Sequence, residues 1–98
     1  MAKQDAAYSS TVLRERLEVA YMVATGSETS HGMLKWASRE LGVSSSTLGR
    51  WLSADDSPDH DWPSRRSRRT IELLETVIRL TYGQAALTRV EQQRQAVA

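Results

Sequence analysis

The stretch LKWASRELGVSSSTLGRWLS, from Leu34 to Ser53, determines the fold that the sequence predicts. Small and apolar residues recur there at intervals of three and four, as they do along one face of a helix. They are Leu34, Ala37, Ser38 and Leu41 before a central glycine, and Leu48, Trp51 and Leu52 after it. That glycine, Gly42, tolerates positive φ and can therefore end the first helix in a tight turn. The stretch predicts two short helices, over 31–41 and 45–53.

Apolar periodicity predicts one more helix on each side of this pair. Upstream, regular spacing indicates a helix over 10–25 that Gly26 would end. Its expected inner face consists of Leu13, Leu17, Ala20 and Ala24. Downstream, Thr70 can cap a helix that Gly83 is expected to weaken or break. The sequence therefore predicts an all-α fold: a small domain of about four helices.

Two short helices joined by a glycine turn have the geometry of a helix-turn-helix, which places its second helix in the major groove of DNA. The residues from Trp36 to Leu52 resemble this motif as it occurs in phage and plasmid regulators and in bacterial transposases. Those families share a small residue, a turn glycine, a hydrophobe and a Trp or Ile, at the spacing of Ser38, Gly42, Leu48 and Trp51. Ser38 is a mild departure, because the families more often have Ala there. The chain also resembles the first-frame proteins of some insertion sequences, in which such a motif precedes a coiled-coil-like helix.

This resemblance implies that the second helix reads DNA. The base-reading candidates that it implies are Ser45, Ser46, Thr47, Gly49 and Arg50. Arg50 is the strongest of them, because a guanidinium group can donate to both O6 and N7 of a guanine. Ser44 and Ser45, at the positive end of the helix, can bind a phosphate through hydroxyl and backbone N–H groups. Ser53 completes an outer face that is free of bulky apolar side chains.

Charged residues fill a long predicted loop over 54–69, which also holds both prolines. Its basic end is a second candidate for DNA contact, through Arg65, Arg66, Arg68 and Arg69. These arginines are expected to clamp phosphates or enter a narrow minor groove; the alternative is a solvated linker. The acidic run before them, from Asp55 to Asp61, lacks the pattern of a calcium loop and is expected to be solvated, or to shield the arginines when DNA is absent.

The last predicted helix has two apolar stripes, and one small body can hardly cover both. The two stripes are Ile71, Leu74 and Ile78, and Leu73, Val77 and Leu80. We expect one stripe to pack on the other helices and one to pack on a second copy of the chain. The residues expected to hold this homodimer are Ile71, Leu74, Val77, Ile78 and Leu80. A dimer suits this motif because a single short helix reads few base pairs.

Composition narrows the class of protein further. The net charge is only +1, but 11 of the 13 basic residues are arginine, which suits phosphate and guanine recognition. The absence of cysteine excludes disulfides and thiolate metal sites, and no apolar run is long enough for a membrane span. We therefore expect a cytoplasmic protein that is not an enzyme, needs no cofactor and has no membrane partner. Its expected segments are a mobile arm (1–8), a helix-turn-helix core (9–54), a charged loop (55–69) and a C-terminal dimerisation helix with a frayed tail (70–98).

The sequence thus favours a sequence-specific regulator of transcription that binds double-stranded DNA, with repression as the expected role. Two alternatives remain open at this point. One is the DNA-end-recognition component of a transposition system, which would share the same binding chemistry. The other is a helical adaptor that binds proteins, although the serines and Arg50 differ from the aromatic and aliphatic residues typical of interface centres.

Overall fold

The computed structural model describes residues 5–97 and contains five α-helices after a single turn of 3-10 helix. The 3-10 turn spans Ala6–Tyr8. The helices are α1 (Ser10–Thr25), α2 (Met33–Leu41), α3 (Ser45–Leu52), α4 (Arg65–Tyr82) and α5 (Gln84–Val97). No strand occurs within residues 5–97, so the all-α prediction is confirmed, with five helices in place of about four. No helix in that range combines the length and apolar character needed to cross a membrane.

The first three helices begin and end close to the predicted positions, because their ends depend on local signals. Gly26 ends α1 with a left-handed φ of 73°, and its N–H donates to the carbonyl of Met22. Gly42 ends α2 with a φ of 69°, and the following Val43 N–H donates to the carbonyl of Ser38. The α2 helix begins at Met33, two residues later than expected, since Gly32 takes up a left-handed conformation there.

The core consists of two adjoining clusters of apolar side chains. The larger cluster joins α1, α2, α3 and α4, and its most deeply buried members are Leu13, Leu17, Ala37, Leu48 and Ile71. The smaller cluster joins α1 and α4, and α5 packs on it. Its buried members are Val19, Ala20, Val23 and Ile78. The α2–turn–α3 unit therefore rests on α1 and α4, whereas α5 packs along another face of α1, where Arg94 reaches Glu15 and Glu18.

The fourth helix begins five residues earlier than predicted, so the charged loop ends at residue 64 and not at 69. Ser64 is the N-cap, and its hydroxyl accepts a hydrogen bond from the Ser67 N–H. Thr70, the predicted cap, lies inside the helix and donates its hydroxyl hydrogen to the Arg66 carbonyl. The buried Pro63 fixes the chain just before this start. All four clustered arginines are therefore helical.

Both ends of the described chain make contacts with the body of the domain. Residues 1–4 of the predicted arm lie outside the described residues, but Tyr8 is buried and donates its hydroxyl hydrogen to Glu72. The sequence predicted a frayed tail after residue 91, and α5 continues through that segment to Val97. Arg94 of α5 donates to Glu15 and Glu18 of α1. Ala98 lies outside the described residues.

Candidate nucleic-acid interface

The α3 helix has one buried face and one exposed face. Leu48, Trp51 and Leu52 point into the core, and Leu48 is completely shielded from solvent. The opposite face carries four exposed residues: Ser45, Ser46, Gly49 and Arg50. The apolar spacing of three and four predicted this division, since residues between the anchors must point away from the core. The exposed face is polar, small and uninterrupted by large apolar groups.

Three other residues that were predicted to contact DNA form hydrogen bonds within the fold: Ser44, Thr47 and Ser53. The Ser44 hydroxyl is the N-cap of α3: it accepts from the Thr47 N–H at 3.0 Å and donates to the Thr47 hydroxyl at 2.9 Å. Ser53 donates its hydroxyl hydrogen back to the Gly49 carbonyl at 2.9 Å. These bonds stabilise the two ends of a short helix. They leave Ser45, Ser46, Gly49 and Arg50 as the unengaged surface of α3.

The first turn of α3 also presents unpaired backbone donors. The N–H groups of Ser45 and Ser46 have no carbonyl one turn earlier in the helix to bind. Both residues are exposed, so these donors face solvent at the positive end of the helix dipole. A phosphate oxygen is a suitable acceptor for such a pair of N–H groups.

Arg50 is the one cation on this face. Within residues 5–97 its guanidinium makes no ion pair or hydrogen bond, and the residue is exposed. Its backbone is nevertheless fixed, because its carbonyl accepts from the N–H of Ser53 and from the N–H of Asp61. The side chain is thus a free donor on a rigid backbone.

The bond between Asp61 and Arg50 also brings the arginine cluster near α3. The Asp61 N–H lies 3.1 Å from the Arg50 carbonyl, and Arg65 follows only four residues later. Four residues span at most about 14 Å, so α4 begins close to the C-terminal end of α3. Arg65, Arg66 and Arg69 are exposed and make no ion pair within residues 5–97. The first turn of α4 contains no acidic residue. Three free cations therefore lie at the positive end of a helix, where they repel the dipole and attract anions.

Arg68 differs from its neighbours because it holds the N-terminal segment. Its Nε donates to the Pro63 carbonyl at 3.1 Å, and its Nη1 lies 3.6 Å from Oδ2 of Asp5. The guanidinium also lies over the Tyr8 ring, 4.6 Å from the ring centre, and Arg16 is at the same distance from that ring. Periodicity gave no means of separating Arg68 from the other three arginines, because its partners are distant in the sequence.

The acidic run is anchored to the body and is not simply a solvated loop. Oδ1 of Asp55 accepts from the Ser10 N–H at 2.8 Å, at the start of α1. The same oxygen lies 3.6 Å from Nε2 of His60, whose ring is almost fully buried. Nδ1 of His60 lies 2.9 Å from the Ser53 carbonyl oxygen and so donates to it. Sequence reasoning missed His60, because nothing local distinguishes a buried histidine in a run of aspartates.

The acidic run does not pair with the free arginines. Within residues 5–97, no ion pair joins its four aspartates to Arg65, Arg66 or Arg69, so the structure gives no support to the shielding interpretation. Nor does any group of three or more His, Asp or Glu residues in that range have an arrangement that could hold a metal ion.

Comparison with models of known protein families, with curated proteins and with solved structures found no match for this chain. The interpretation of the α3 surface therefore depends on its own geometry and on the motif from Trp36 to Leu52.

The surface predicted for dimerisation divides in two. Ile71 and Ile78 are buried in the chain's own core, so the prediction that they form the surface of a homodimer is wrong. Leu74 is half-buried and packs beside them. The other stripe is open: Leu73, Val77 and Leu80 are 63%, 51% and 79% exposed. We call Leu73, Val77 and Leu80 the α4 stripe. It is an exposed apolar row of the kind that soluble proteins use for association.

Proposed function

We propose that this chain binds double-stranded DNA by inserting α3 into the major groove. The observation that carries the proposal is the division of α3 into an anchored apolar back and an exposed face of Ser45, Ser46, Gly49 and Arg50. An interface for a protein partner would favour aromatic and aliphatic residues at its centre, and this face has none.

The dimensions of α3 suit a groove. A helix with its side chains is about 10–12 Å in diameter, and the major groove is about 12 Å wide. The eight residues of α3 make it about 12 Å long. Gly49 lies mid-helix, and a Cβ there would meet no atom of the chain within 4 Å. The fold itself therefore does not require glycine at this position. A groove does favour it, since the missing side chain lets the helix backbone approach base edges closely.

Each exposed group has a role that matches its chemistry. Arg50 donates to O6 and N7 of one guanine and so selects a base. The N–H groups and hydroxyls of Ser45 and Ser46 hold a phosphate at the helix start and set the depth of insertion. Arg65, Arg66 and Arg69 neutralise phosphates on the flank of the same site, and this contact adds affinity without sequence preference.

A dimer completes the proposal. One α3 reads only a few base pairs, whereas two copies related by a two-fold axis read two half-sites about one helical turn apart. The α4 stripe is the surface we propose for this pairing. The role that we favour is repression, because occupation of an operator by such a dimer blocks other proteins without further chemistry.

Selection of bound duplexes from a random pool, followed by sequencing, tests the proposal. A palindromic consensus is the expected result and supports a dimeric regulator. The Arg50→Ala variant should lose preference at one position of each half-site, while the Arg89→Ala variant, which alters an exposed arginine of α5, should select the same consensus. A site that matches the ends of a mobile element would assign the same surface to transposition. Absence of any enrichment would overturn DNA reading by α3.

A further inference from the structure

A single glycine separates α4 from α5. Gly83 has φ 91° and ψ 149°, a conformation that is open almost exclusively to glycine. Its N–H still donates to the Arg79 carbonyl at 2.8 Å, so α4 keeps its helical hydrogen bonds up to this residue. The next residue, Gln84, already begins α5. Rotation of one residue into helical φ and ψ would therefore convert α4 and α5 into one straight helix.

The α5 helix covers the core but is not part of its interior. No side chain over 84–96 is fully buried; Ala86, Leu87 and Val90 pack as partly buried residues on the smaller cluster. Its polar attachment is Arg94, which donates to Glu15 at 3.0 and 3.1 Å and also to Glu18. In an exchanged dimer, the same contacts would form with α1 and α4 of the other copy.

The apolar face of α5 would align with the α4 stripe on a straight helix. Leu73, Leu80, Leu87 and Arg94 follow one another at intervals of seven residues, with Val77 between the first two. An α-helix drifts by about 20° per seven residues, so these residues stay within one stripe over three repeats. In the bent chain, Gly83 turns Leu87 towards its own α1 and leaves Leu73 and Leu80 exposed. In a straight chain, a single partner would cover the whole face.

The α4 stripe alone would make a small dimer interface. It offers three side chains per copy, whereas stable interfaces use about 20–30 residues on each side. We infer that two copies of this chain exchange α5 about Gly83, so that α5 of each copy packs on α1 of the other and the α4 stripes lie inside the interface. This inference refines the proposed dimer and does not depend on DNA binding.

Charge reversal tests the exchange directly. The Arg94→Glu variant places a glutamate against Glu15 and Glu18, and the Glu15→Arg/Glu18→Arg variant places two arginines against Arg94; each repels its own α5. In an exchanged heterodimer of the two variants, both contacts pair opposite charges. Native mass spectrometry of an equimolar mixture should therefore show the heterodimer well above the half of all dimers that random pairing gives. The control is one chain carrying all three changes, which restores pairing within a copy and should assemble like the wild type.

The alternative outcomes are distinct. Heterodimer at the random proportion would show that copies associate without exchange and would overturn this inference, while leaving the proposed dimer in place. Absence of dimers in wild type and mixture alike would overturn both, and DNA selection would still test the α3 proposal separately.

The hinge itself has a matched pair of variants. A Cβ at Gly83 or at Gly26 meets no atom within 4 Å, and both glycines have positive φ at a helix end. Gly83→Ala should strengthen dimer association by roughly tenfold or more, since alanine disfavours the bent conformation and favours a helical one. Gly26→Ala strains the turn that ends α1, which lies outside the exchanged segment, and should therefore leave association unchanged. Circular dichroism checks that both variants fold; equal association of folded Gly83→Ala and wild type would overturn the hinge.

Discussion

The Tyr8 hydroxyl donates a hydrogen bond of 2.5 Å to Oε2 of Glu72, across 64 positions of the sequence. The bond fastens the segment before α1 to the middle of α4. Arg16 and Arg68 lie over the same ring, and Arg16 forms a two-point ion pair with Glu75 at 2.6 and 2.8 Å. The N-terminal segment is thus held to α1 and α4 by polar contacts at the edge of the core.

Tyr8→Phe should lower the free energy of unfolding by about 1–3 kcal/mol at pH 7, because it removes a hydrogen bond to a charged group. Burial, and then the bond to Glu72, raise the pKa of Tyr8 above its ordinary 10.0, although Arg16 opposes part of this shift. The folded chain therefore holds the phenolic proton more tightly than the unfolded chain does. The stabilisation is complete below pH 10 and is lost as the pH rises through the folded pKa. Urea unfolding at several pH values should show the difference between wild type and Tyr8→Phe narrowing above pH 10; a constant difference would contradict this account.

Leu48→Ala should destabilise the fold by about 2–5 kcal/mol, because it opens a cavity beneath α3. Leu48 is completely buried, whereas Leu80 is 79% exposed. Leu80→Ala is thus the matched control, and at a concentration where copies are dissociated it should change stability by no more than about 0.5 kcal/mol. Chemical unfolding of the two variants measures both values. A small loss for Leu48→Ala would mean that α3 is not anchored through its apolar back.

Arg50→Ala should weaken specific DNA binding by about 1–3 kcal/mol and leave the fold intact, since its exposed side chain makes no hydrogen bond or ion pair within residues 5–97. Titration of the selected duplex, and of duplexes altered at single base pairs, measures this effect. The loss should disappear on the duplex that lacks the contacted guanine. Equal weakening on every duplex would reassign Arg50 to a phosphate contact.

The clustered arginines should separate into two kinds. Replacing Arg65, Arg66 and Arg69 with alanine should reduce the slope of log K against log salt by about 2–3, because each lost phosphate contact removes about 0.9. Stability should hardly change, as these side chains are free. Arg68→Ala should instead lower stability, because it releases Tyr8, Pro63 and Asp5. An unchanged salt slope in the triple variant would mean that the three arginines do not contact phosphates and are only solvated at the start of α4.

Leu80→Glu should reduce association between copies without unfolding the chain, because Leu80 lies in solvent in the single copy. Ile78→Glu, two residues away, should unfold the chain, since Ile78 is buried in the smaller cluster. Sedimentation at several concentrations gives the mass of each. A wild type that stays monomeric throughout would remove the proposed dimer.

Local signals allowed the sequence to predict the first three helices. Gly26 and Gly42 end helices by adopting positive φ, and the spacing of Leu48 and Trp51 fixes which side of α3 is buried. The exposure of Arg50 follows from the same spacing. The early start of α4 was missed because Ser64 and Thr70 can both cap a helix, and the burial of Pro63 just before Ser64 is not visible in the sequence.

Distant partners explain the remaining errors. Arg94 holds the end of α5 through carboxylates 76 and 79 positions away, and no periodicity can reveal such a pairing. Likewise, Arg68 looks identical to its neighbours until Tyr8 is placed beneath it. The sequence predicted that the other helices would cover one of the two apolar stripes of α4. Which stripe they cover depends on how α1 and α5 pack against α4.

The contacts of the Asp55 carboxylate affect how much conformational entropy α3 would lose on binding a ligand. It caps α1 through Ser10 and lies beside His60, while His60 and Asp61 bind the backbone at the end of α3. The C-terminal end of α3 is thereby held by hydrogen bonds that the chain makes with itself. A helix that is already ordered before binding loses little conformational entropy when it docks. In the proposed complex with DNA, α3 should therefore superimpose closely on its free form, and the nucleic acid should supply most of the conformational change.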